Sequence, residues 1–149
     1  MSAAKIVVHS DVILDHLCGD NYPSALRRAM GKFFCYTTVF QAMELFSYAR
    51  TEVERKSVED AMAALKLLGL NPKNARRYGE LLRSVSRAAT LNILTAGLCL
   101  ESRLPILTDR KRDFAGVQGL EIVPTARLRR FDTGAEILHS VRARSRKHQ

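Results

Sequence analysis

Three separated segments of this 149-residue chain join an apolar run to side chains that could do chemistry. His9, Ser10 and Asp11 follow the run KIVV, Glu44 lies just beyond FFCYTT, and Asp109 and Asp113 follow Thr108, interleaved with Arg110, Lys111 and Arg112. Carboxylates drawn from distant parts of a chain to one sheet edge are what magnesium or manganese requires, because hard cations take oxygen ligands and keep several waters. With two such ions, a phosphodiester can be cut by an activated water while the leaving oxygen is stabilised. The basic triplet suits the same substrate differently, since Arg and Lys form charge-assisted bonds to phosphate oxygens.

The elements that must position these groups can be read from periodicity. Residues 5–8 predict a short strand, and Ser10 and Asp11 supply N-cap chemistry for an amphipathic helix over 12–18 that Gly19 ends. A helix over 23–30 has Pro23 near its start and Gly31 at its end. The aromatic and threonine-rich run 33–38 predicts a buried strand, followed directly by a helix over 39–50. Val58, Met62, Leu65 and Leu68 share a face opposite Glu54, Lys56, Asp60 and Lys66, which predicts a helix over 53–68 and then a brief strand over 68–70. Asn71-Pro72 opens a helix in which Ala75, Tyr78, Leu82 and Val85 recur, flanked by Arg76, Arg77, Arg83 and Arg87. A helix over 90–102, a strand over 106–108, a charged loop and a last strand over 121–123, ended by Pro124, complete the pattern.

Short apolar strands alternating with helices imply parallel pairing through right-handed crossovers, hence a three-layer α/β/α sandwich with a mainly parallel central sheet. In such sheets ligands gather at the carboxyl ends of the strands, which brings residues 9–11, 37–44 and 108–113 to one edge.

A chain of this length with 46% hydrophobic residues can bury one core. The expectation is one domain over 1–125, followed by a basic C-terminal extension over 126–149, partly disordered towards RARSRKHQ. The formal net charge is +9. The extension carries seven Lys/Arg against two acids, so more than half of the excess lies there and a polyanionic partner is favoured, nucleic acid most simply. No apolar run approaches the roughly 20 residues of a membrane span, and the start lacks a signal peptide's order, so no membrane association and a cytoplasmic location are expected. Cys18, Cys35 and Cys99 are odd in number and show no C-x-x-C spacing, which predicts buried thiols rather than a disulfide framework or a zinc site.

Three segments together carry a family resemblance. KIVVHSDVILDHL at residues 5–17 is similar to the opening strand and helix of PIN domains of the VapC toxin type, an apolar run followed by D-T-D-V-L-I-D. TTVFQAMELF at 37–46 matches the segment carrying that family's glutamate, here Glu44. NILTAGLCLESRLPILTDRKRDF at 92–114 resembles, without a gap, its D-x-L-I-A-A helix and its L-x-T-R-N/D-x-x-D-F strand and loop. The departures fall on the acidic site. The first aspartate position holds His9, the third acidic position holds Asn92, and the Asn/Asp after T-R is Arg110, while Asp113 matches the D-F aspartate.

The resemblance implies an RNA endonuclease, a PIN-like fold, an antitoxin chain as partner and a homodimer. Glu44 and Asp113 match family positions, and a shifted site adds Asp109, which makes Glu44, Asp109 and Asp113 the catalytic candidates and Glu44, Asp113 and Asp11 the candidate ligands for Mg or Mn, with His9 and Asn92 at the family's acidic positions. Arg110, Lys111 and Arg112 are the RNA-binding candidates. Two neutral side chains where carboxylates should stand, with Arg110 beside them, imply weakened or lost metal binding. The alternative to hydrolysis is a non-catalytic domain that binds RNA, or a protein partner across residues 21–30 and 53–68. His9 is either a ligand for manganese or a softer metal, or a neutral imidazole hydrogen-bonded at the strand end. Ser10 and Asp11 are expected to cap the following helix.

Overall fold

The computed structural model describes residues 3–85 and 88–147; Arg87 of the predicted arginine flank and the last two residues of the basic extension lie outside them. The β-rich apolar runs form five strands, β1 (Lys5–Val8), β2 (Phe34–Thr38), β3 (Lys66–Leu68), β4 (Ile106–Leu107) and β5 (Ile122–Val123). They make one sheet in the order β3-β2-β1-β4-β5, and every pairing is parallel. Among the described residues eight α-helices pack around it: α1 (Ser10–Cys18), α2 (Ala25–Met30), α3 (Val39–Tyr48), α4 (Glu52–Ala63), α5 (Ala75–Ser84), α6 (Thr90–Ser102), α7 (Arg127–Arg130) and α8 (Gly134–Lys147).

Strand alternation sorts the core. Ile6, Val8 and Cys35 face a cluster with Val12, Ile13, Leu26, Ala29, Val58 and Met62, whereas Val7 and Ile106 face Ala96, Cys99 and Phe114 on the other side. Both faces are covered, so the fold is the three-layer α/β/α sandwich that the strand–helix alternation implies. The order reverses between β1 and β4, which makes their carboxyl ends the switch point of the sheet. His9 and Thr108 stand there side by side, with the His9 amide bonded to the Leu107 carbonyl at 3.1 Å.

Several local expectations are corrected. The second amphipathic helix stops at Ala63 instead of reaching residue 68, and the following strand is Lys66–Leu68, not 68–70. Register explains this: Tyr36, Thr37 and Thr38 pair with Lys66, Leu67 and Leu68, so sheet hydrogen bonds take the segment that helical periodicity alone would extend. Helix α2 starts at Ala25 because Ser24, not Pro23, caps it, its hydroxyl accepting from the Arg27 amide at 3.3 Å. Helix α3 ends at Tyr48, two residues short of the expected boundary. Ser10 and Asp11 do not cap α1: the cap position is His9, and no side chain bonds the free amides there. Cys18 is exposed, although Cys35 and Cys99 are buried as expected.

The basic extension is helical through Lys147 and joins the main core, with Leu128 and Ile137 fully buried. Thr133 caps α8 at the Glu136 amide, and Lys32 donates to the carbonyls of Leu128 and Phe131, both at 2.6 Å, fastening the α7–α8 turn to the start of β2. Gly134 makes the close approach possible, since a Cβ there would lie 2.6 Å from the Lys32 carbonyl oxygen. Backbone cannot yield as a side-chain tip can. Gly134→Ala should therefore cost about 1–3 kcal/mol in urea denaturation, with the loss seated in the docking of α8; an unchanged midpoint would show that α8 contributes little.

Candidate functional site

The site begins with Asp11. Placed in the first turn of α1, its carboxylate turns towards the end of β4 and takes donors on both oxygens. Oδ1 lies 3.0 Å from His9 Nδ1 and accepts from the Thr108 hydroxyl at 3.0 Å, while Oδ2 accepts from the Asp109 amide at 3.0 Å. Burial alone would raise the Asp11 pKa, but the bonds from His9 and the Asp109 amide, with the charge interaction with His9 and the Thr108 bond, outweigh it and hold the carboxyl below its ordinary value.

His9 is almost wholly enclosed, 2% exposed, with its ring edge-on to Phe114 at 4.9 Å between centroids. Nδ1 faces the Asp11 carboxylate and Nε2 lies 3.3 Å from the Asn92 side-chain oxygen. An amide at position 92 can serve either ring state, offering its oxygen to a protonated Nε2 or its NH₂ to a bare one. A carboxylate could do only the first. The His9/Asn92 exchange thus makes a self-satisfied polar cluster in which Asp11 and Thr108 complete the bonding.

Asp109 and Asp113 are occupied separately. The Asp109 oxygens accept from the Thr125 amide at 2.8 Å and from its hydroxyl at 2.5 Å, tying the end of β4 to the residues before α7. Asp113, on a 3-10 turn over Lys111–Phe114, accepts from Arg110 Nε at 2.8 Å, and the Arg110 amide donates to the Thr108 hydroxyl at 3.0 Å. The hydrogen bond and charge of Asp113, with Asp11 and Glu44 at longer range, raise the guanidinium pKa further. Arg110 is therefore a cation supplied by the chain itself among the acids.

Glu44 stands apart from this cluster. It is half-buried on α3, accepts from the Tyr48 hydroxyl at 3.0 Å, and borders a groove of about 410 Å³ between α3 and the start of α6 that Asn92 also lines. Lys111 and Arg112 are exposed and border, with Asp109, Arg110 and Asp113, a cavity of about 780 Å³. The fold thus gathers His9, Asp11, Asn92, Thr108 and Asp109 tightly, adds Asp113 through Arg110, and leaves Glu44 across a groove. Among the described residues, no three His, Cys, Asp or Glu side chains converge closely enough to hold a metal ion. Thr125 is brought to Asp109 only by the fold, whereas Tyr48, four residues after Glu44 on α3, is placed by helical spacing.

Strand order, two covered faces and acids gathered at the ends of β1 and β4 define a PIN-like three-layer domain. No family model matches the chain, and no curated protein is significantly similar to it in sequence. Solved structures are similar. A chain of VapBC2 from Rickettsia felis, bound to a DNA fragment from their promoter, superposes with a TM-score of 0.67 at 13% identity, covering 80% of this chain and 98% of that one. A toxin–antitoxin complex from Klebsiella pneumoniae gives 0.64 at 16% identity over 80% and 97% of the two chains. DNA-bound VapBC from Salmonella typhimurium gives 0.64 at 18% over 82% and 98%. The likeness is one of fold, and the fold is VapC-like. Among the described residues, no helix is long and apolar enough to cross a membrane.

Proposed function

We propose that this VapC-like PIN domain acts by binding RNA at the carboxyl edge of its sheet, with divalent-metal affinity and hydrolysis weakened or lost. The observation that carries this is the saturation of the acids. Both Asp11 oxygens are held by His9, Thr108 and the Asp109 amide, both Asp109 oxygens by Thr125, and Asp113 by Arg110. A divalent ion would have to compete with these bonds and with the Arg110 cation, and positions 9 and 92 offer it no carboxylate. The residues present do not fit such an ion. They fit a phosphate better, because Lys111 and Arg112 stay exposed beside the cluster and the chain is strongly basic.

A protein partner of the antitoxin kind is the second part of the proposal. It is supported by the VapBC complexes among the structural neighbours and by Tyr22, Met30 and Val53, 84%, 43% and 78% exposed, on the segments expected to dock it. Co-expression with the product of an adjacent small open reading frame, followed by size-exclusion chromatography, would show a complex larger than the isolated chain.

The decisive test joins binding to cleavage. A labelled single-stranded RNA should bind with an affinity falling as salt rises, by about 0.7 logarithmic units of affinity per logarithmic unit of salt for each neutralised phosphate. The same RNA should remain intact in Mg²⁺, Mn²⁺ or chelator. Mn²⁺-dependent cleavage abolished in Glu44→Ala would reinstate the nuclease, with Glu44, Asp109 and Asp113 as its acids. Affinity indifferent to salt would remove the electrostatic basis of RNA recognition.

A further inference from the structure

The two clefts flanking the Asp109–Thr125 tether differ in charge. One, of about 640 Å³, is bordered by Asp11, Asp15 and Asp109 as well as by Arg28, Arg129 and Arg130, so its charges cancel. The other, of about 710 Å³, brings Lys111 from the 3-10 turn, Arg127 from α7 and Arg144 from α8 around one opening. Among the described residues its only bordering carboxylate is Asp109, whose oxygens are both engaged by Thr125. Among the described residues none of the three cations is in an ion pair; Arg127 has one long bond, 3.4 Å, to the Ser140 hydroxyl.

Three cations from three elements border one cleft, so an anion placed there is attracted by all three. The arrangement is held in place by the fold. Arg142 grips Glu121 through two parallel bonds, Nε to Oε2 at 2.6 Å and Nη2 to Oε1 at 3.0 Å, joining α8 to the strand edge at β5. With that side of the helix fastened, Val141, Arg144 and Ser145, spaced i, i+3 and i+4, share the face that borders the cleft. Val141 packs partly against the core, which fixes the rotation of the helix.

We propose that Lys111, Arg127 and Arg144 form a phosphate subsite for the backbone of single-stranded RNA, one cleft beyond the His9–Asp11–Thr108 cluster. The Ser145 hydroxyl is a further donor on its rim. This deepens the RNA-binding reading above and rests on it. Lys111 belongs to both places, so a strand leaving the loop at residues 110–112 continues past Arg127 to Arg144. The extension, which the sequence sets apart as a basic tail, is thereby a wall of the binding surface.

The test is anisotropy of a labelled single-stranded RNA with the full-length chain, titrated at several salt concentrations. Arg127→Ala combined with Arg144→Ala should weaken binding about tenfold at moderate salt and lower the salt slope by about 1.4, the share of two phosphate contacts. Arg77→Ala combined with Arg83→Ala removes the same charge from exposed positions on α5 and should leave the slope unchanged. Thermal melts of both variants check that the fold is kept. If the wild type binds and the two double variants lose equal affinity, the subsite is overturned while RNA binding stands. If the wild type does not bind RNA at all, the functional reading fails and takes the subsite with it.

Discussion

Asp11→Asn should be among the most destabilising single changes in this protein, lowering stability by about 3 kcal/mol at neutral pH. The substitution keeps the shape but turns one oxygen into a donor, and every neighbour of Asp11 in the cluster, His9 Nδ1, the Thr108 hydroxyl and the Asp109 amide, already sits where a donor is wanted. For a chain of this length the loss corresponds to roughly 6–12 °C in Tm. It also has a pH signature. The Asp11 pKa is depressed by folding, so its contribution is complete above the ordinary carboxylate value of 3.8 and is lost as pH falls through the lower folded value. Urea denaturation should therefore show a wide gap between wild type and variant at pH 7 that narrows below pH 3.8. A gap that stays constant into acid would mean that the hydrogen bonds do not depend on the carboxylate charge.

The second large effect is a gain. His9→Asp combined with Asn92→Asp places carboxylates at both positions and sets one of them against Asp11, now 3.0 Å from His9 Nδ1. Without metal, like charges at that separation disfavour the folded state, and the variant should melt well below the wild type in chelator. Manganese should reverse this: at about 100 times its dissociation constant a ligand adds roughly 2.7 kcal/mol, or about 5–11 °C here. The wild type should shift by less than about 1 °C under the same conditions, because its acids are held internally. If the wild type shifts as far as the variant, Glu44, Asp109 and Asp113 already bind the ion and the non-hydrolytic proposal is wrong.

Much of the fold was legible in the sequence. The β1, β2 and α6 segments are marked by dense apolar or small-residue runs with clear stops, and the alternation of strand and helix left a parallel three-layer sheet as the consistent topology. Misreadings came where two signals compete. Residues 66–68 keep helical periodicity, yet pairing with Tyr36–Thr38 draws them into the sheet, and pairing over long separation is invisible in a local window. Charge alone marks the extension as a tail, whereas Leu128 and Ile137 anchor it in the core.

The site divides the same way. Residue types at three strand ends sufficed to mark His9, Asp11, Glu44, Asp109, Arg110 and Asp113, because a parallel sheet must deliver its strand ends to one edge, whereas Asn92, inside α6, entered through the family resemblance alone. What those residues do to one another was decided by tertiary structure. Whether Asp11 is a helix cap, a metal ligand or the centre of a hydrogen-bonded cluster depends on which donors lie within 3.0 Å, and these come from residues 9, 108 and 109 across two strands. Sequence determines the inventory of charges and the edge at which they meet. Only the packed chain determines their pairing, because electrostatic and hydrogen-bond energies fall away over a few ångströms, a scale set by strand register and helix rotation rather than by spacing along the chain.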